Sequence, residues 1–154
     1  MNFSRSLIKW YDCNKRELPW RNTRDAYKIW ISEIILQQTK VSYGLKYYLK
    51  FLKKFPTIHD LSEAKENEVL KVWEGLGYYS RARNLHHTSK FIVNNLNGIF
   101  PNTYLEILNL KGIGPYTAAA ISSFAFKLPF AVLDGNVIRL LSRYFGIKVP
   151  FDNI

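Results

Sequence analysis

An all-α fold is what this sequence of 154 residues predicts. Apolar residues recur at three- and four-residue spacing along most of the chain, no segment sustains the period-two alternation of a strand, and short glycine-bearing turns separate the helical stretches. With 47% apolar and 16% aromatic residues the chain can build a real core, and its length is that of about one domain.

Taken in order, Phe3, Leu7, Ile8 and Tyr11 give residues 3–13 helical spacing, and the segment runs into the turn-like, basic and aromatic Asn14-Lys15-Arg16-Glu17-Leu18-Pro19-Trp20-Arg21. From Tyr27 to Gln38, the residues Tyr27, Ile29, Trp30, Ile31, Ile34, Ile35 and Leu36 cover most of a helix's circumference, which predicts a largely buried helix with Glu33 inside it. A helix over 41–54 carries Lys46, Lys50, Lys53 and Lys54 as a solvated basic face, with Pro56 beyond its end. Ser62 caps a helix expected over 63–74 that ends at Gly75, and residues 81–96 form the next, closed by Asn97-Gly98. Thr103-x-x-Glu106 is a capping box opening a short helix, Pro115 sits at a first helical position, and a last helix runs from near Gly135 to about Tyr144.

The 22 Lys and Arg against 12 Asp and Glu leave a net charge of +10, spread along the whole chain, and a polyanionic partner is the first reading of such a balance. One cysteine, Cys13, excludes an internal disulfide framework and any multi-cysteine metal site, and points to a reducing compartment. His59, His86 and His87 lack zinc spacing, so no metal is predicted and they read as surface or backbone-contacting residues. Neither a signal peptide nor a membrane span is read: the longest apolar stretch, 117–133, is broken by Lys127 and Pro129.

Leu110-Lys111-Gly112-Ile113-Gly114-Pro115-Tyr116-Thr117 puts two glycines around one apolar residue ahead of a helix start. Such a turn allows positive φ and leaves backbone N–H groups pointing outward, an anion site suited to a nucleic-acid phosphate since no P-loop Lys or Ser accompanies it. Gly75-Leu76-Gly77-Tyr78-Tyr79-Ser80 echoes this turn, either as a second contact to a duplex or as a coincidence among helix-connecting turns.

Two carboxyls stand out. Glu33 on a mostly apolar helix would have its pKa raised by burial, unless it shares a narrow polar strip with Gln37. Asp134 precedes a helix start and is at the least an N-cap. An acid kept protonated and a carboxylate kept ionised are the pair that glycosidic cleavage uses. Trp20-Arg21 and Gly77-Tyr78-Tyr79 could stack on bases or wedge between them, or belong to the core.

These residues carry a resemblance. The 112–118 turn followed by Leu133-Asp134-Gly135-Asn136-Val137 resembles the helix-hairpin-helix glycosylase superfamily. Leu18-Pro19-Trp20-Arg21, Ser32-Glu33-Ile34-Ile35-Leu36-Gln37-Gln38-Thr39 and Gly75-Leu76-Gly77-Tyr78-Tyr79-Ser80-Arg81-Ala82-Arg83-Asn84 narrow it to adenine DNA glycosylases of the MutY type. The resemblance implies excision of adenine mispaired with 8-oxoguanine or guanine from double-stranded DNA. Glu33 then matches the general acid at adenine N7, Asp134 the carboxylate that stabilises the sugar cation or traps it covalently, and Tyr116 and Asn136 supporting active-site residues. Gln38 matches a wedge in the base stack; Thr39, Leu76 and Tyr78 match contacts around the oxidised guanine, and Gly112 and Gly114 the phosphate clamp. Arg16, Trp20, Arg21 and Leu36 fall where the family shapes its adenine pocket. Tyr116 stands where related glycosylase/lyases of the endonuclease III type carry a lysine nucleophile, and a phenol forms no Schiff base, so a monofunctional hydrolase is implied.

The family goes on to helices bearing four cysteines for a 4Fe-4S cluster, which are not among these 154 residues. The expected organisation is therefore an N-terminal helix and basic loop over 1–24, a helical module with the hairpin over 25–126, and the start of an incomplete second domain over 127–154, in a fragment or truncated copy. A monomer is expected, cytoplasmic in the bacterial manner and associated with the nucleoid through DNA. Two other readings stay open at this point: a non-catalytic DNA-binding module that keeps the clamp, and a glycosylase/lyase.

Overall fold

The structure, a computed structural model, describes residues 3–149. Residues 1–2 and 150–154, the outer ends of the first and last expected segments, lie outside the described residues. Among the described residues the chain is helical throughout, with no strand.

Helix α1 (Phe3–Asn14) leads through a single 3₁₀ turn, Pro19–Arg21, to α2 (Ala26–Leu36). Asp25 caps α2, its carboxylate accepting from the amides of Tyr27 at 2.9 Å and Lys28 at 3.3 Å. Tyr27, Ile29, Trp30, Ile31, Ile34 and Ile35 are all buried, and α2 runs through the centre of the molecule against α3 (Val41–Lys54) and α8 (Pro115–Phe126). Ala118, Ala119 and Ala120 are buried on α8, and their small side chains let two helices approach closely.

The helix expected over 63–74 is instead two: α4 (Ile58–Glu63) and α5 (Glu66–Trp73). Thr57 and Asp60 form a reciprocal capping box, so the first helix begins earlier than Ser62. Ser62 lies inside α4, buried, its hydroxyl donating to the His59 carbonyl at 2.8 Å, and the extended Ala64 ends the helix. After α5 comes α6 (Ser80–Asn95), then α7 (Tyr104–Leu108). The expected box at Thr103 is half formed. The Glu106 amide donates to the Thr103 hydroxyl at 3.4 Å, while that hydroxyl donates at 2.6 Å to the Glu106 carboxylate, which would otherwise reach the backbone.

The turn between α7 and α8 is pinned from three sides. Leu110 and Ile113 are buried, the Thr88 hydroxyl donates to the Lys111 carbonyl at 2.9 Å, and Asn84 lies under Gly112. Gly112 takes a φ of +80°, whereas Gly114 has a φ of −94° and is the N-cap of α8, so one of the two glycines uses its freedom. The echoing turn differs: Gly75 and Gly77 both have positive φ.

Buried apolar residues run from Leu18 to Ala125. Helix α1 and the last helix, α9 (Gly135–Phe145), contribute none, although the rings of Phe3 and Tyr144 meet at 4.2 Å between them.

Candidate active site

Glu33 leaves the most buried helix toward a cavity of about 410 Å³ lined also by Leu36, Gln37, Gln38, Tyr116, Leu133, Asp134 and Asn136. Burial pushes its carboxyl up to about 7, the Asp134 carboxylate adds to that rise, and a polar contact from the Tyr116 hydroxyl opposes it. Tyr116, at the first turn of α8, is itself pushed up to about 12 by burial and by Glu33, so it stays a neutral phenol.

Asp134 is treated in the opposite way. As N-cap of α9 it accepts from the Val137 amide at 2.8 Å, and the Asn136 side-chain amide donates to its other oxygen at 3.0 Å. These bonds hold its carboxyl below the usual range. The N-cap role and the place in the cavity therefore belong to one residue. Asn136 is exposed on the first turn of α9, and that bond is its contact with the carboxylate. One pocket thus holds two carboxyls whose environments drive them apart, one toward the acid and one toward the anion.

Glu33 also lines a second pocket, with Trp20 and Arg21 from the 3₁₀ turn, Tyr11 from α1, and Phe124 and Lys127 from the end of α8. Trp20 packs edge-on against Tyr48 at 5.1 Å, and the Arg21 guanidinium sits 5.4 Å above the Tyr11 ring. The Arg16 side chain lines neither pocket; its carbonyl accepts from Arg21 at 3.2 Å. Leu36 lies on the Asp134 side of Glu33 and not on the Trp20 side.

A third groove is lined by Gln37, Gln38, Tyr78, Ser80 and Arg81. Gln38 is exposed, and so is Tyr78, at 67%. Thr39 begins the next turn with its hydroxyl on the Gln37 carbonyl at 3.3 Å. Leu76 has its side chain in the hydrophobic core, which leaves only the backbone of its turn facing outward. Gly112 and Gly114 are exposed at the hairpin, where the first-turn amides of α8 have no intrahelical acceptor.

Three residues of this region were not named as site residues from the sequence. Gln37 lines two of the pockets and donates from Nε2 to the Thr117 hydroxyl at 3.4 Å, tying α2 to α8. Its spacing of four from Glu33 put it on the polar strip read from the sequence, without a role at the site. Leu133 forms a wall of the acid's cavity and carries no signal beyond its neighbour Asp134. Arg81 stands in the first turn of α6, where a cation opposes the helix dipole, and that mismatch marks it.

A 4Fe-4S cluster takes four cysteine thiolates, and the chain has one cysteine, Cys13, exposed on α1, so these residues do not fit that group. Among the described residues no three His, Cys, Asp or Glu gather to hold a metal ion. His86 donates from Nε2 to the Ala64 carbonyl at 2.8 Å, and no described helix is long and apolar enough to cross a membrane.

Residues 31–150 match the HhH-GPD superfamily of base excision DNA repair proteins. The chain is 48% identical over 148 residues to an adenine DNA glycosylase of Buchnera aphidicola subsp. Baizongia pistaciae, covering 96% of this chain and 42% of that protein. It is 45% identical to the adenine DNA glycosylase of Homo sapiens, over 94% of this chain and 28% of the relative. It spans less than half the length of these relatives. Among solved structures, a thermostable thymine-DNA glycosylase superposes with a TM-score of 0.89 at 32% identity, covering 97% of this chain and 71% of that one. A non-covalent endonuclease III–DNA complex superposes with a TM-score of 0.77 at 23% identity, over 93% of this chain and 67% of that one, a likeness of fold.

Proposed function

The chain belongs to the HhH-GPD superfamily of base excision DNA repair proteins, and we propose that it hydrolyses the N-glycosidic bond of adenine mispaired with 8-oxoguanine or guanine in double-stranded DNA. The observation that carries this reading is the pair in one cavity: Glu33 pushed up to about 7 and Asp134 held below its usual range.

The adenine must leave the stack before an acid can reach it. Protonated Glu33 gives its proton to N7, so the C1′–N9 bond breaks with its electrons going to a neutral base. Asp134, ionised, faces the oxocarbenium-like sugar that remains, and water adds to C1′ while its released proton returns to the Glu33 carboxylate. Neutral Tyr116 supports the acid and supplies no amine, so no Schiff base forms and the strand is not cut by elimination. Trp20 and Arg21 flank the far side of Glu33, where the extruded base would lie. Gln38 enters the vacated stack, Tyr78 and Thr39 face the opposite base, and the hairpin amides at Gly112 and Gly114 take a backbone phosphate. No step is routed through a cluster, and the protein acts as a monomer.

Single-turnover assays on duplexes containing A·8-oxoG, A·G and T·G test the reading, with base release scored apart from strand cleavage and borohydride present in a parallel arm. Adenine release without an adduct is expected. Release of thymine alone would replace the substrate, as the thymine-DNA glycosylase likeness would have it. A stoichiometric adduct would place the chain with the lyases, and mispair binding without release of any base would leave a DNA-binding module.

A further inference from the structure

Gln38 and Tyr78, the residues that face each other across the third groove, both have positive φ, 56° and 46°. Gln38 fills the left-handed place after α2 that glycine usually takes, and a bulky aromatic with positive φ is an outlier anywhere. Such conformations persist only where the surroundings over-determine them.

Arg81 supplies that constraint. Its Nη1 donates to the carbonyls of Ile34 at 2.8 Å and Gln37 at 2.7 Å, with a longer contact of 3.4 Å to Ile35, so it closes the C-terminus of α2 immediately before Gln38. Its Nη2 donates to the carbonyls of Leu76 at 3.3 Å and Gly77 at 3.4 Å, immediately before Tyr78. The guanidinium also lies 5.2 Å from the Trp73 ring and 5.7 Å from the Tyr78 ring. No carboxylate pairs with it among the described residues. Its position in the first turn of α6 is unfavourable to a cation, while the C-terminal carbonyls of α2 favour one. Only the planar fork of an arginine can serve two sets of carbonyls at once; a lysine ammonium is a point.

We propose that Arg81 is a positioning residue that locks Gln38 and Tyr78 into their left-handed conformations, so that the groove between them has its DNA-reading shape before DNA binds. That this groove reads the base opposite the adenine rests on the function proposed above; the lock itself does not.

The test uses the full chain with Arg81→Met, Arg81→Lys and, as a control for lost charge on an exposed residue of the same helix, Lys90→Met. In the DNA-free protein, amide exchange over residues 36–41 and 74–80 should speed up about tenfold or more in both Arg81 variants, while α7 is unchanged. On DNA, the affinity ratio of an A·8-oxoG duplex to its A·T counterpart should fall by about tenfold, with matched-duplex affinity within about twofold of Lys90→Met. Arg81→Lys keeps the charge and should still behave like Arg81→Met; if the methionine variant does not fold, the lysine variant carries both measurements. Exchange that stays at wild-type rates in the two segments, or rises equally throughout the chain, would overturn the proposal. So would a lysine variant indistinguishable from wild type. A wild-type chain with no mispair preference would instead remove the assigned target of the groove, and the exchange measurement would still decide the lock.

Discussion

Replacing Glu33 with glutamine separates its cost to the fold from its value to the chemistry. The ordinary carboxyl value of 4.5 and the value of about 7 in the folded chain differ by at most about 3 kcal/mol in the free energy of ionising this group, less whatever solvent at the pocket mouth screens. Because the folded state holds the proton more tightly than the unfolded state, the stabilisation is complete below about pH 4.5 and is lost as pH rises through about 7. Glutamine keeps the shape and can still accept from the Tyr116 hydroxyl, but it never ionises. Glu33→Gln should therefore be more stable than wild type at pH 8, by up to about 3 kcal/mol, and the advantage should vanish toward pH 4.5. Urea denaturation across that range measures it. Over the same range single-turnover adenine release should drop by about two to four orders of magnitude in the variant, and in wild type should decline about tenfold per pH unit above 7 as the protonated fraction falls. A stability gain independent of pH, or release close to wild type, would refute the buried-acid assignment.

Tyr116→Phe removes the contact that opposes burial, so the alkaline limb of the release profile should move to higher pH, read by the same single-turnover series. Gly112→Ala asks an L-residue to hold a φ of +80° with its Cβ about 2.6 Å from that of Asn84. A loss of about 1–2 kcal/mol or more in denaturation, with weaker duplex binding, is expected. Duplex affinity should fall steeply between about 50 and 200 mM salt, as a filter-binding series would show, because phosphate contacts by a chain of net charge +10 release counterions. Amides of α9, which has no buried residue, should exchange faster than those of α8, and mild urea should abolish adenine release before it abolishes duplex binding.

The helices were legible in the sequence wherever one face had to be apolar. The run from Tyr27 to Leu36 could only be a buried helix, and it is; residues 41–54 kept their lysines outward as the spacing required. The division of 63–74 was missed because Thr57 and Asp60, six and three residues before the expected start, already satisfy the amides of an earlier helix. Ser62 has the chemistry of a cap but no free helix start to serve. At the site, Glu33 was visible as a carboxyl that periodicity places among apolar side chains, and Asp134 as a cap ahead of a helix. The resemblance paired them, but periodicity could not place them in one cavity, since 100 residues separate them and periodicity carries no long-range contact. Leu76 shows the converse: a motif position can be matched while its side chain belongs to the core. Arg81 lay inside a quoted motif, yet three of its five carbonyl partners come from the remote end of α2 and two from the turn just before its own helix, and backbone acceptors leave no mark on a sequence.

The two carboxyls differ in role because of the kind of element that bears each. A side chain in the middle of α2 has no free amide to turn to, since every backbone donor around it is spent within the helix, and the neighbouring isoleucines offer none. Burial then outweighs the one opposing contact, from Tyr116, and pushes the Glu33 carboxyl up to about 7. A side chain just ahead of α9 meets the unpaired amides of a first turn, and the Val137 amide, helped by Asn136, holds the carboxyl of Asp134 below the usual range although the residue is only partly exposed. Aspartate and glutamate have nearly the same ordinary pKa, so the position and not the residue type sets which of the two holds a proton. Exchanging the two positions would reverse the chemistry. The acid therefore has to sit on the most buried helix and the anion at the start of an exposed one, and the cavity has to lie on the seam between them, where Tyr116 at the head of α8 reaches both.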